Sequence, residues 1–363
     1  MSLWVVVGGQ FGSEGKGKVS AFITRQENID ICIRCGGPNS GHSFVDENGQ
    51  TIILRQLPTG YVRSNTRLLI PAGALIDLDV LRNEIEALRI SPERIGVDPN
   101  SFIIDARDRD TENALKLRER LSSTLCGVGS AVSRRVLRSS DAKLAKDVVN
   151  QYPWLRELLV REGVSAELNA ALDDGKKALI EGTQGFGLSL YHSGHYPYCT
   201  SRDTTAAGFL SEVGVSPLRV TEIVVVFRTF PIRVAGPQAG PLKDEIDWET
   251  VRRESGYAYA IEERTSVTNK VRRVARFDWE SALSAVTINR PTRLAVNGMD
   301  YLDHANQGIG QLRFLTPRAE TFIKRLQALC SLDVSYLGTG PRLDQMISTT
   351  RQNSETTHVS VAR

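Results

Sequence analysis

Neither sign of charge dominates this 363-residue chain: 45 Lys and Arg stand against 42 Asp and Glu, a formal charge of +3 at pH 7. So even a balance leaves no electrostatic footprint for nucleic acid, and any phosphate recognition is expected to be local. No apolar run approaches the ~18 residues that a bilayer span needs, so a membrane partner is not expected either. The amino terminus lacks a basic n-region, and its apolar stretch Leu3–Val7 stops at Gly8. This reads as the first strand of a cytoplasmic protein rather than as a signal peptide. Cysteine is scarce and scattered, at Cys32, Cys35, Cys126, Cys199 and Cys330, which suits free thiols in a reducing compartment better than a disulfide framework. Cys32 and Cys35 form a lone C-x-x-C inside the alternating run Ile31-Cys32-Ile33-Arg34. They are expected to be structural strand cysteines, not a zinc or redox site.

What is present is a globular interior. Hydrophobic residues make up 41% and charged ones 24%, enough to bury a sizeable core, in a chain about two and a half times the length of a ~150-residue domain. Apolar runs at Leu3–Val7, Ile29–Ile33 and Leu68–Ile70 alternate with a helical pattern opening near Gly15 and an amphipathic one from Asp77 to Leu88. That alternation predicts an α/β fold, a large and mostly parallel central sheet flanked by helices. A strand at Phe102–Asp105 and a charged helix around Thr111–Leu121 are expected next, then a helical insertion over about 141–175, its turns interrupted by Pro153 and Gly163. The strand pattern returns at Ala178–Glu181, Val220–Val226, Leu294–Asn297 and Val334–Leu337, with a helix at Arg318–Leu329. With no internal repeat and no low-complexity linker, one domain over 1–363 is expected, ending in a poorly ordered polar tail over about 350–363.

The densest chemistry follows the first strand, in Gly8-Gly9-Gln10-Phe11-Gly12-Ser13-Glu14-Gly15-Lys16-Gly17-Lys18. A strand feeding a glycine-rich turn that feeds a helix is a phosphate cradle: backbone N–H groups approach the oxygens, the helix N-terminus adds partial positive charge, and a lysine adds a full one. It is not a regular Walker A sequence, because Gln10 stands five residues before Gly15 and Gly17 follows Lys16. A second glycine-rich loop, Gly36-Gly37-Pro38-Asn39-Ser40-Gly41-His42, follows the next strand. Its histidine is placed where α/β proteins put ligands, and suits proton transfer near neutral pH.

On these two loops the chain resembles the adenylosuccinate synthetase family, whose hallmark is such a phosphate loop followed by G-G-x-N-x-G-H. Further matches run in order through Leu57-Pro58-Thr59-Gly60, Ser123-Thr124, Arg134-Arg135, Glu181-Gly182-Thr183-Gln184-Gly185, Tyr196 to Thr200, Arg233 to Pro237, Thr268 to Asp278, Asp300, and Gly338-Thr339-Gly340-Pro341. The resemblance implies a two-step C–N ligation. A nucleoside triphosphate phosphorylates the 6-oxygen of a purine monophosphate, and the amine of L-aspartate then displaces that phosphate. Charge developing on the transferred phosphoryl must be met by Mg²⁺, cations and positioned donors.

Carried over by resemblance, His42 is the general acid, Gln184 contacts the purine 6-position, and Ser13 occupies the position of the catalytic base. Gly12, Gly15, Lys16, Gly17, Lys18, Gly41, Asn297, Asp300, Gly340 and Pro341 match the triphosphate site. Asn39, Ser123, Thr124, Leu188, Thr200 and Val234, with Ser13 and Gln184, match the monophosphate site, and Arg134 reaches across from a second subunit, which implies a homodimer. Val267, Thr268, Asn269, Lys270 and Arg272 match the loop that grips aspartate. The Gly41 carbonyl and the residue at Ser13 match the Mg²⁺ ligands.

Three departures bear on substrate. The family's phosphate-loop aspartate, both Mg²⁺ ligand and base for purine N1, is Ser13 here, and a hydroxyl is a poor base at neutral pH and a weaker ligand. Lys270 replaces an arginine that also reaches the ribose hydroxyl. The K-x-D that reads guanine in GTP is Gly298-Met299-Asp300, which keeps only the acid. This pattern resembles the viral branch of the family that makes 2-aminoadenine nucleotides. It implies dGMP as substrate, ATP or dATP as donor, and the host cytoplasm as the setting. His192 and His195 are expected to be structural or pocket-lining, and Arg272, Arg273 and Arg276 to serve a substrate anion rather than nucleic acid.

Overall fold

The structure, a computed structural model, describes residues 2–265 and 269–349. Nine strands form one sheet: β1 (Ser2–Gly8), β2 (Ile31–Arg34), β3 (Arg67–Ile70), β4 (Ile95–Val97), β5 (Lys177–Glu181), β6 (Val220–Arg228), β7 (Arg293–Asn297), β8 (Val334–Gly338) and β9 (Met346–Ser348). Their order is β9-β8-β7-β6-β1-β5-β2-β3-β4. Every pair is parallel except β8 with β9. Parallel strands sandwiched between helices are buried on both faces, which is why β1 reads as a continuous apolar run. Its residues alternate between two cores. Leu3, Val5 and Val7 pack with helices Val164–Asp173, Ala206–Val213, Trp279–Asn289 and Pro317–Cys330; Trp4 and Val6 pack with α1 (Lys16–Gln26) and helix Leu78–Leu88.

Several expectations needed correction. Phe102–Ile103 is a two-residue strand paired with Leu75–Ile76 outside the main sheet. The helix expected over Thr111–Leu121 is two helices, Ala106–Ala114 and Leu117–Leu121, because Lys116 takes a left-handed backbone with φ 52°. In the 141–175 stretch, Pro153 opens the short helix Pro153–Arg156 rather than interrupting one, as suits a residue whose N–H is not needed in the first turn. Gly163 is the residue before helix Val164–Asp173, whose Val164, Leu168 and Leu172 are fully buried. The expected polar tail lies outside the described residues.

Strand order decides where a ligand goes. From central β1 the chain runs to β2, β3 and β4 on one side and to β6, β7 and β8 on the other, so a crevice opens past the carboxyl ends of the strands at β1. Open α/β sheets bind ligands at this reversal. The loops after β1, β2, β5, β6, β7 and β8 all converge there.

Candidate active site

His42 opens a hairpin strand, His42–Val45, paired with Thr51–Leu54. Its Nδ1 is hydrogen-bonded to Glu181, the last residue of β5. Glu181 is a hub with no exposed surface: Arg34 Nη1 donates to it at 2.8 Å, and the Thr59 N–H and hydroxyl donate at 2.9 and 2.6 Å. Burial opposes ionisation of this carboxyl, but His42, Arg34 and Thr59 outweigh it and hold its pKa down at about 2. Burial, then the Arg34 charge, lowers His42 from 6.5 to about 3. The imidazole is therefore neutral, its Nδ1 proton directed at Glu181, and its buried Nε2 has no partner among the described residues. Gly17 lets it sit there, since a Cβ on Gly17 would come within 2.7 Å of the His42 Cβ.

The glycine-rich loop after β1 is built around Glu14. Its buried carboxylate accepts the N–H groups of Gln10 at 3.1 Å and Gly12 at 2.8 Å, and the Lys16 ammonium at 2.6 Å. Lys16 also bonds the Gln184 carbonyl. The helix start is pinned from β7, where Asn297 Nδ2 donates to the Glu14 carbonyl at 2.8 Å. Lys18 Nζ reaches the Gly340 carbonyl at 2.6 Å, and burial, opposed by Asp300, lowers its pKa to about 8.

Beside this floor lies a cavity of about 790 Å³. Its lining brings together Gly12, Ser13, Asn39, Gly41, Ser123, Thr124, Gln184, Leu188, Thr200, Val234, Lys270 and Arg272, residues far apart in sequence. Ser13 is exposed to it with φ 58°, a left-handed conformation. Gln184 donates Nε2 to Asn39 Oδ1 at 3.3 Å, while its buried Oε1 has no partner among the described residues. Arg233 seals one wall: its guanidinium lies 4.5 Å from the Phe11 ring centre and donates to the carbonyls of Tyr198 and Pro241, both at 2.6 Å. His195 is half-buried, 5.5 Å from the same ring, and His192 is exposed.

Arg134 does not line this cavity. Its Nε and Nη2 donate to the fully buried Asp108 at 2.8 and 2.7 Å, and it lies over the Phe102 ring. Asp300 lies apart too, with Tyr257 donating to its Oδ2 at 2.7 Å. Gly15 takes φ 89° against the Asn297 amide. Pro341 O accepts from Val45 N at 3.2 Å, which ties the loop after β8 to the hairpin of His42. Asn269 and Lys270 are exposed, whereas Val267 and Thr268 lie outside the described residues. Arg272 Nε donates to the Arg264 carbonyl at 3.2 Å.

The electrostatic partners Glu14, Arg34 and Glu181 carried no role in the sequence reading. A signal existed for two of them: Arg34 and Glu181 each end an otherwise apolar buried strand, and a lone charge there must find a partner. Arg228 ends β6 in the same way, after the buried run Val224-Val225-Val226-Phe227, whereas Glu263 carried no such signal. They pair at 2.5 Å, and Arg228 also donates to the Ser13 carbonyl at 3.2 Å.

Residues 5–157 and 141–310 match the adenylosuccinate synthetase family. The adenylosuccinate synthetase of Thermococcus onnurineus is 40% identical over 351 residues, 96% of this chain and 98% of that one. That of Archaeoglobus fulgidus is 38% identical over 349 residues, with the same coverage. The succinoaminodeoxyadenylate synthetase of cyanophage S-2L, solved bound to dGMP and to dATP as an energy donor, has a TM-score of 0.80 and 27% identity over 99% of both chains. The Plasmodium falciparum adenylosuccinate synthetase shares the fold at a TM-score of 0.80 and 20% identity, over 96% of this chain and 100% of that one. With two family matches spanning most of its length and relatives near 40% identity, this chain belongs to the adenylosuccinate synthetase family, C–N ligases that join aspartate to a purine nucleotide.

Proposed function

We propose that the purine nucleotide is dGMP, that the donor is ATP or dATP, and that the product is N6-succinyl-2-amino-2′-deoxyadenylate, a precursor of 2-aminoadenine DNA. The observation that carries this reading is Ser13, exposed on the cavity wall that also holds Gln184. A carboxylate here would crowd a purine bearing an amino group at C2. A hydroxyl is shorter and accepts a hydrogen bond from that amine, and a base without the amine leaves it unmet.

In the first step the loop amides and Lys16 hold the donor phosphates. The neutral His42 meets the phosphoryl group with Nε2; the arriving negative charge raises the low pKa of the imidazole, which takes up a proton from water at Nε2, and Glu181 balances the positive charge that results. Gln184 meets the purine 6-oxygen with the Nε2 hydrogen that its tie to Asn39 leaves over, while its Oε1 is placed to accept the neighbouring N1–H. Lys270 and Arg272 meet the aspartate carboxylates, whose amine displaces the 6-phosphate. Mg²⁺, when bound, neutralises phosphate charge. A hard cation that keeps several waters fits the two neutral oxygens here, the Gly41 carbonyl and the Ser13 hydroxyl, if substrate phosphates supply the rest. In the homodimer that belongs to this proposal, Arg134 serves a partner's cavity only by leaving Asp108.

The archaeal relatives near 40% identity favour a second reading, an ordinary adenylosuccinate synthetase acting on IMP. A non-catalytic nucleotide-binding relic is the third, and the paired state of His42, Lys16 and Gln184 speaks against it. One panel separates them: IMP, GMP, dGMP and dAMP against ATP, dATP and GTP, with aspartate and Mg²⁺. Turnover of dGMP with an adenine donor supports the proposal. Preference for IMP with GTP refutes it, and binding without turnover points to the relic.

A further inference from the structure

Asp300, which the family pattern makes the reader of the donor base, is not an open carboxylate. It lies buried in the short helix Met299–Leu302 past the end of β7, with its Oδ2 taken by the Tyr257 hydroxyl. Tyr257 is locked in turn. Its ring centre lies 4.1 Å from that of His304 and 5.3 Å from that of Tyr259, and its N–H and carbonyl are bonded to Arg252. Gly298, two residues before Asp300, has φ 83°, and a Cβ there would come within 2.8 Å of Thr229 Oγ1. Any side chain at 298 is therefore strained as well as crowded.

Resting on the proposed adenine donor, we infer that Tyr257 is a specificity-determining residue that selects adenine over guanine by occupying one oxygen of Asp300. Guanine presents N1–H and an exocyclic N–H side by side, a match for a carboxylate with both oxygens open. Adenine presents one exocyclic N–H beside an acceptor nitrogen. With the Tyr257 hydroxyl seated on Oδ2, Oδ1 is the open oxygen that Asp300 turns to a base donor. Adenine is satisfied by that single bond. Guanine must leave an N–H unpaired or break a buried bond to a charged oxygen, both costly.

Tyr257→Phe keeps the ring and its stacking and removes the hydroxyl. The ratio of kcat/KM for ATP to that for GTP, measured with the purine monophosphate the enzyme turns over, is expected to fall at least about tenfold, through KM for GTP more than through kcat. A wild-type enzyme that prefers GTP overturns both the donor reading and this inference. Wild-type preference for ATP that Tyr257→Phe leaves within about twofold overturns this inference alone. If Tyr257→Phe does not fold, Asp300→Asn serves. The tyrosine hydroxyl then fixes the amide oxygen and turns the amide N–H groups toward the base, so kcat/KM for ATP falls at least about tenfold. Undiminished use of ATP by Asp300→Asn overturns the inference.

Discussion

The floor of the site and the cavity beside it are built on opposite terms. On the floor, Glu14, Lys16, Arg34, His42 and Glu181 are all buried and paired with one another. Around the cavity, Ser13 and Lys270 are exposed and Arg272 is partly buried, its side chain bonded among the described residues to the Arg264 carbonyl. Buried pairs of this kind are costly to break, because removing one partner strands the other in a low dielectric. Groups on the cavity wall are hydrated until a ligand replaces the water. The floor should therefore govern the chemical step, and the wall should govern which substrate enters and how tightly.

His42→Ala tests the floor most severely. A decrease in kcat of about 10²–10⁴-fold, with KM values little changed, is expected from steady-state kinetics. Near-wild-type turnover would remove His42 from the chemistry. Next comes Glu181→Gln, which removes the charge that orients and balances His42 while keeping shape. We expect kcat to drop about 10²-fold, since buried donors from Arg34 and Thr59 lose a charged acceptor. A shift in the pH–kcat profile should accompany it, which a merely structural role would not produce.

Arg272→Leu probes the wall. It should raise KM for aspartate about 10- to 100-fold, leaving the purine monophosphate KM within a few-fold, because a substrate carboxylate loses a charge-assisted bond. Equal losses for both substrates would mean that wall and floor are not separable. Ser13→Asp sharpens the same contrast. Left-handed backbone such as Ser13 adopts is tolerated by aspartate, so the variant should fold. Its kcat/KM for dGMP should decrease at least about tenfold relative to that for IMP. A variant as good with dGMP as the parent would show Ser13 to be neutral.

The smallest effect expected is on stability. The His42 pKa is about 3 when folded against 6.5 for a free imidazole, so the unfolded chain binds the extra proton. Stability is thus fully present above about pH 6.5 and is lost progressively as pH falls toward about 3, with Glu181 adding to the loss between 4.5 and about 2. Thermal unfolding across this range should show the decline, and His42→Asn should flatten its upper part. An equally steep decline in the variant would place the titrating groups elsewhere.

How much of this could be read from the sequence depended on the range of the interaction. The strand at Leu3–Val7, the helix after Gly15 and the helix ending at Leu88 follow from local periodicity, and the structure has them as β1, α1 and Leu78–Leu88. The break at Lys116 was missed because a left-handed residue within a charged helical run leaves no mark in the pattern. The edge strand Met346–Ser348 was missed because three residues carry no usable period. Among site residues, those in glycine-rich loops were visible, since such loops advertise close backbone approach. Glu14, also in such a loop, carried no role in the sequence reading, yet its carboxylate holds the loop together.

By itself the sequence determined the α/β class, the phosphate loop, the order of the family's motifs and the departures at Ser13, Lys270 and Gly298, because each is a property of neighbouring residues. Only the tertiary structure decided that Glu181 binds His42 across 139 positions of chain, that Arg134 is held by Asp108, and that Tyr257 covers an oxygen of Asp300. The physical reason is that a buried charge or polar oxygen must be satisfied by whatever the fold brings within hydrogen-bond distance, and strand order, not sequence distance, chooses that neighbour.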